Sequence, residues 1–291
     1  VKSSPVSDSI VLADEFLAHT GGSASNFAYA ARMLGASVSF VGAIGNDPAG
    51  KFFLEEIRSY GIDVSFVQVL EGEHTGSASI WIDSSGEKHG VAWRGANLKL
   101  SPNNEWKKFD SADIVHLAGC TPSVCNWVIA NTSTMKSFDP GSSSKKFSPK
   151  QLATMCSKSK VTFVTRGEVE RCLADGISLI ESTLKGAGIL VVKNGALGVE
   201  VWSQSEAFKM NALPAEVVDT TGAGDAFAAA FLYRYLETGV VQDACRWANA
   251  CAALKVGSLG AKSGIPDYKR LRGFVESNGR KMVVSALSLE D

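Results

Sequence analysis

The strongest chemical signal in this sequence is a tight glycine turn at the end of an apolar run. Val217 and Val218 lead into Asp219-Thr220-Thr221-Gly222-Ala223-Gly224-Asp225, and an apolar stretch over 226–236 follows. Glycines let the backbone approach a ligand and adopt conformations closed to other residues. At the start of a helix, free N–H groups and the helix dipole favour an anion. Asp225 falls in that first turn, so a hydroxyl held beside these amides has a carboxylate ready to take its proton. This is not a nucleotide loop of the Walker type, because no Lys-Ser/Thr follows the glycines. On these residues alone the plainer reading is a capped turn in which Asp225 only steadies the dipole. A second glycine turn, Gly21-Gly22, precedes Ser23-Ala24-Ser25-Asn26. The Asn26 amide offers two donors and an acceptor, which suits a polyol, or a helix start that needs a cap.

Such turns need a scaffold, and the pattern around them supplies one. Strand-type apolar runs fall at 38–44, 114–117, 161–164 and 189–192. Helical patterns cover 25–34, 122–130, 169–173, 177–184, 223–236 and 241–255. Asp47-Pro48 opens a further helix as cap and first-turn proline, and Gly61 ends it. The alternation argues for an α/β fold, a largely parallel sheet covered on both faces. One region departs from it. Residues 9–17, 76–82 and 90–93 look like strands with no helices between them, and Asp83-Ser84-Ser85-Gly86 reads as a hairpin turn. These would form a small antiparallel sheet, placed as a lid over the carboxyl ends of the main strands.

Composition narrows the function classes. The 291 residues carry 29 basic and 30 acidic side chains, a net charge of −1. That balance gives no electrostatic footprint for nonspecific nucleic-acid or membrane binding. No apolar stretch approaches the roughly 18 residues needed to span a bilayer. The six cysteines form no CxxC pair and read as free thiols of a reducing cytoplasm. Asn131-Thr132-Ser133 is a glycosylation sequon that reads as chance. The histidines at 19, 74, 89 and 116 are scattered and make no dyad. Only His19 lies near a glycine turn, and it reads first as a polar lid residue.

The segment 219–227 resembles the C-terminal signature of the PfkB/ribokinase family of carbohydrate kinases. The stretch from Gly21-Gly22 through Leu34-Gly35 to Gly45-Asn46-Asp47-Pro48-Ala49-Gly50 is similar to the family's N-terminal signature. The resemblance spans almost the whole chain. It implies a ribokinase-like three-layer α/β/α domain over 21–75 and 96–291, with a β lid from 6–20 and 76–95. It also implies an ATP-dependent kinase acting on a sugar or, as the alternative, a nucleoside. In that reading Asp225 is the base, and Gly222, Ala223 and Gly224 form the anion hole. Gly22, Asn26 and Asn97 meet the substrate. Lys193, Gly195 and Asn249 line ATP. Asp139 sits near the phosphates. Asp219 and Thr221 match a K⁺ site of some members.

Two departures from the family pattern stand out. The family's Asn-x-x-Glu, whose Glu places Mg²⁺ through water, corresponds here to Thr165-Arg166-Gly167-Glu168-Val169-Glu170, with Glu170 taken as the Glu and Gly167 replacing Asn. Arg166 is then a substitute phosphate contact. The chain also opens at Val1-Lys2-Ser3-Ser4-Pro5, which resembles the segment just after the family's first strand. Either the sequence is truncated there, or Asp8 or Asp14 substitutes for the substrate Asp of that strand. A reading from another class is a catalytically silent module that binds nucleotide or sugar, which the intact Asp225 turn opposes. Apolar residues of the lid, Ile80, Trp81, Ile82 and Trp93, point to a homodimer through it.

Overall fold

The computed structural model describes residues 11–13, 16–82 and 88–287. Among the described residues, helix α1 (Ser23–Met33) is the first regular element. Strand β1 (Ser39–Gly45) and helix α2 (Pro48–Ser59) lead to β2 (Asp63–Leu70), which pairs parallel with β1. The Asp47 carboxylate caps α2 by accepting from the Gly50 amide at 2.8 Å, and Pro48 stands at the first turn. Asp47 also accepts from the Thr75 hydroxyl and amide, at 2.6 and 2.8 Å. Those bonds tie the helix start to the entry of the lid and hold the Asp47 carboxyl down at about 2.

The lid itself is β3 (Ser77–Ile82) paired antiparallel with β4 (Lys88–Trp93), a sheet separate from the others. Part of the strand expected over 9–17 lies outside the described residues. Its described residues, 11–13 and 16–17, carry no strand, and Leu12 and Phe16 are exposed. The apolar residues there lack the strict alternation that would lay one side on a sheet face.

The main sheet comes next. It runs through β5 (Ile114–Ala118), α3 (Pro122–Asn131), β6 (Met135–Asp139), α4 (Pro149–Lys158), β7 (Val161–Thr165), α5 (Arg166–Ala174), α6 (Leu179–Lys185) and β8 (Ile189–Lys193). Strands β9 (Val199–Trp202) and β10 (Ala207–Met210) succeed them, then the long helices α7 (Ala223–Thr238) and α8 (Val241–Val256). Helix α9 (Tyr268–Asn278) and β11 (Val284–Ala286) complete it. The spatial order is β11-β10-β9-β8-β7-β6-β5, parallel from β5 to β8 and antiparallel beyond.

Alternate side chains of the central strands enter opposite cores, as a sheet covered on both faces requires. Val161, Phe163, Ile189 and Val191 pack with α1, α7 and α8. Val164, Leu190 and Val192 pack with α3, α4 and α5. Seven consecutive residues, 226 to 232, are buried in α7. A helix that is apolar all round belongs inside, so the N-terminus of α7 is fixed by the core behind it. Among the described residues no helix is long and apolar enough to cross a membrane.

Candidate active site

Asp225 stands in the first turn of α7, whose cap is Gly222 at φ 78°. A Cβ on Gly222 would lie 2.4 Å from the Ala261 carbonyl oxygen, so both conformation and space require glycine there. The Asn26 amide, from α1, donates to Asp225 Oδ2 at 2.8 Å across 199 residues. The other Asn26 side-chain atom, Oδ1, is buried and accepts no hydrogen bond among the described residues. The two glycine turns expected from sequence therefore meet. Burial pushes the Asp225 carboxyl up to about 6; the hydrogen bond from Asn26 and the Lys193 charge oppose that rise, while Asp139 adds to it.

Lys193 ends β8 and Asp139 ends β6. Their charged ends meet at 2.5 Å. A Cβ on Gly224 would lie 3.4 Å from the Lys193 ammonium nitrogen, so this cation faces the start of α7. Burial alone would lower the Lys193 pKa. Asp139, with Asp225 and Glu168 further off, raises it above its ordinary value. Lys193 is thus a charged group at the phosphate end of the site, held in place by Asp139.

Glu168, not Glu170, is the acid near Lys193. Glu168 is buried and its Oε2 accepts from the Thr165 amide at 2.8 Å. Glu170 is exposed. The spacing Thr165-x-x-Glu168 is the i, i+3 signal that could have found it. Arg166 pairs with Glu200. It lines an open cleft with Thr165, Gly167, Lys193, Asn194 and Leu197. Gly195 lies in the short turn after β8, beside this cleft. No group of three His, Cys, Asp or Glu side chains among the described residues is arranged to hold a metal ion. Isolated carboxylates around one ammonium suit a Mg²⁺ that arrives on nucleotide phosphates and keeps its water, not a protein cage.

The remaining expected residues fall at other points of the structure. Asn249 is buried in α8 with its amide on the Asn211 carbonyl at 3.2 Å. Asn97 lies in the turn after the lid, against Gly76, and no hydrogen bond among the described residues joins it to Asp225. Asp14 and Asp8 lie outside the described residues. His19 is exposed. His116 is a core residue: it stacks on Phe27 at 3.8 Å and burial lowers its pKa to about 4. The oxygens of Asp219, one of the two residues matched to a K⁺ site, are hydrogen-bonded within the protein. Oδ1 accepts from the Thr221 amide and Oδ2 from the Gly260 amide, each at 2.8 Å. The Asp219 carbonyl accepts from the Lys255 ammonium at 2.7 Å. Lys255, fully buried at the end of α8, had no signal beyond its place in a helical pattern.

The comparisons with known proteins agree with this geometry. The family model described as "pfkB family carbohydrate kinase" matches residues 2–268. The chain is similar to the ATP-dependent ribose-1-phosphate kinase of Halopiger xanaduensis, 31% identical over 84% of this chain and 82% of that one. It is also similar to the nucleoside kinase of Methanothermobacter thermautotrophicus, 30% identical over 85% of this chain and 81% of that one. Among solved structures, the Methanocaldococcus jannaschii nucleoside kinase superposes with a TM-score of 0.85. It is 22% identical and the match covers 95% and 93% of the two chains. With a family model spanning nearly its whole length, and the family's two glycine turns joined at one carboxylate, the chain belongs to the PfkB family of carbohydrate kinases.

Proposed function

We propose that the protein transfers the γ-phosphate of Mg-ATP to a hydroxyl of a ribose-type sugar bound between α1 and the start of α7. The observation that carries this reading is the Asn26–Asp225 hydrogen bond at the mouth of the Gly222–Gly224 turn. Asp225 takes the proton of the attacking hydroxyl. Asn26 aims that carboxylate, and its Oδ1 is an acceptor for a neighbouring sugar hydroxyl. The amides of Gly222, Ala223 and Gly224 stabilise charge on the phosphoryl group in flight. Lys193, steadied by Asp139, neutralises the same charge from the opposite side. Mg²⁺ carried on the nucleotide would neutralise phosphate charge, and the buried Glu168, whose charge acts on Lys193, would hold it through water. ATP as co-substrate and free cysteines support a cytoplasmic setting. The exposed Ile80, Val91 and Trp93 support a homodimer through the lid.

A specific observation favours a phosphorylated acceptor. The Arg94 guanidinium donates to the Gly119 carbonyl at 2.9 Å, and Gly119 borders Ser23. The charge of Arg94 acts on Lys146, and no ion pair among the described residues joins either cation to a carboxylate. Two such cations beside the acceptor site suit an anionic group on the sugar. The similarity to a ribose-1-phosphate kinase supports the same reading.

The test is ADP release from Mg-ATP over ribose, ribose phosphates and nucleosides. Asp225→Asn is expected to lower kcat about 10²–10⁴-fold on whichever acceptor works. Unchanged kcat removes the base assignment. Arg94→Met is expected to raise KM for a phosphorylated acceptor and not for ribose. Binding of ATP with no turnover on any acceptor would indicate a silent module.

A further inference from the structure

Lys255 is the most buried cation of the described chain and it stands directly behind the anion hole. Its side chain is fully buried. Its ammonium donates to the Asp219 carbonyl at 2.7 Å and to the Ser258 carbonyl at 3.3 Å. These acceptors come from two different segments. Asp219 begins the turn that leads to Gly222, and Ser258 lies in the loop after α8. The same two segments are joined elsewhere. The Val218 and Asp219 amides both donate to the Val256 carbonyl, at 2.8 and 3.0 Å. The Gly260 amide donates to Asp219 Oδ2. The loop then continues to Ala261, whose carbonyl lies against Gly222.

Burying an ammonium is costly unless carbonyls or a counter-charge replace its water. A side chain that only stapled the loop could be neutral at far less cost. Here the buried side chain places its ammonium between two backbone carbonyls, those of Asp219 and Ser258. That donor set, hard oxygens around one monovalent positive centre, is also what a K⁺ ion takes. We infer that the Lys255 ammonium is a tethered monovalent cation that holds the 219–222 turn and the 256–264 loop in the geometry the anion hole needs, so the protein works without K⁺. This deepens the kinase reading and rests on it. Lys255 touches no reacting atom; it is a positioning residue. Its charge orients the Asp219 carbonyl and, through the turn, the amides of Gly222, Ala223 and Gly224.

The experiment compares potassium with choline as the only monovalent cation. Wild-type kcat and ADP affinity are expected to agree within about twofold between the two salts, because the site's cation is covalently attached. Lys255→Ala removes the charge and leaves space. In choline its ADP affinity and kcat are expected to fall by about tenfold or more, and potassium or ammonium is expected to restore most of that loss. Melting temperature shows the same pattern, rising with potassium in the variant and not in the wild type. A purely structural lysine predicts loss without rescue. Wild-type activity or ADP affinity that rises tenfold or more with potassium overturns the inference, and so does a folded Lys255→Ala that no monovalent cation restores. If the variant does not fold, the wild-type comparison still decides. ADP binding and melting report independently of any acceptor, so a failure of the kinase reading (no turnover) and a failure of this inference (no cation rescue) are read separately.

Discussion

Asp225 works under opposed demands. In the proposed role of base it must be ionised, yet burial raises its pKa from the ordinary 3.8 to about 6. A carboxyl whose folded pKa is raised favours the folded state while protonated. That contribution is fully present below about pH 4 and is lost as pH rises through 6. Ionised at neutral pH, the group therefore costs stability, on the order of 2–3 kcal/mol for a shift of this size. Catalysis has the opposite slope. The acid limb of kcat/KM is expected to fall off below about pH 6, since that profile reports the free enzyme. Asp225→Asn is expected to melt higher than the wild type at pH 8, with the gain vanishing at pH 4. Thermal melts at the two pH values check this, and equal gains at both would show that ionisation is not the cause. The Lys193–Asp139 pair is less forgiving. Removing either partner leaves the other charge buried and unpaired, which costs about 3–5 kcal/mol where measured.

At the level of elements, the site depends on where helices begin. The start of α7 needs Gly222 both for φ 78° and for room beside Ala261. Gly222→Ala is expected to lower the melting temperature by several degrees, at about 2–4 °C per kcal/mol, and to depress kcat as the turn is displaced. Gly72, at φ 72° with nothing within 4 Å of an added Cβ, is the control. Gly72→Ala carries the conformational strain without the clash, and it is expected to leave kcat unchanged. Equal losses of stability in both variants would mean that Ala261 gives way. Much of this was legible in the sequence. The two glycine turns, the Asp47-Pro48 start of α2 and the burial of α7 all arise from local residue types. Glu168 was missed in favour of Glu170 because both are acids in a first helical turn, and only the packing of α5 on β7 separates them. Lys255 was illegible because a lone lysine at the end of a helix is usually solvated. Its burial depends on a turn that begins thirty-six residues earlier. The lid was half legible. Its hairpin shows the expected alternation, whereas the 9–17 run had apolar content without it.

For the whole molecule, the lid is the part with least cover. Ile80 is 60% exposed, Val91 67% and Trp93 53%, on a sheet of two strands. Such a ribbon is marginal alone in water. Val91 and Trp93 share one face of the ribbon and Ile80 lies on the other, so a second copy seated on the Trp93 face would bury Val91 and Trp93. Sedimentation is expected to show a dimer at micromolar concentration, and Trp93→Ser is expected to shift it toward monomer. A wild-type monomer under those conditions removes the dimer.

Asn26 and Asp225 are separated by 199 residues and meet in one hydrogen bond. A ribosome adding about 5–20 residues per second delivers the second partner roughly ten to forty seconds after the first. During that interval the emerging polypeptide has Asn26 and its lid, but neither the proposed base nor the proposed anion hole. It has nothing with which to spend ATP. Phosphate transfer is switched on only when the last third of the chain closes onto the first helix, so unfinished chains are harmless to the nucleotide pool.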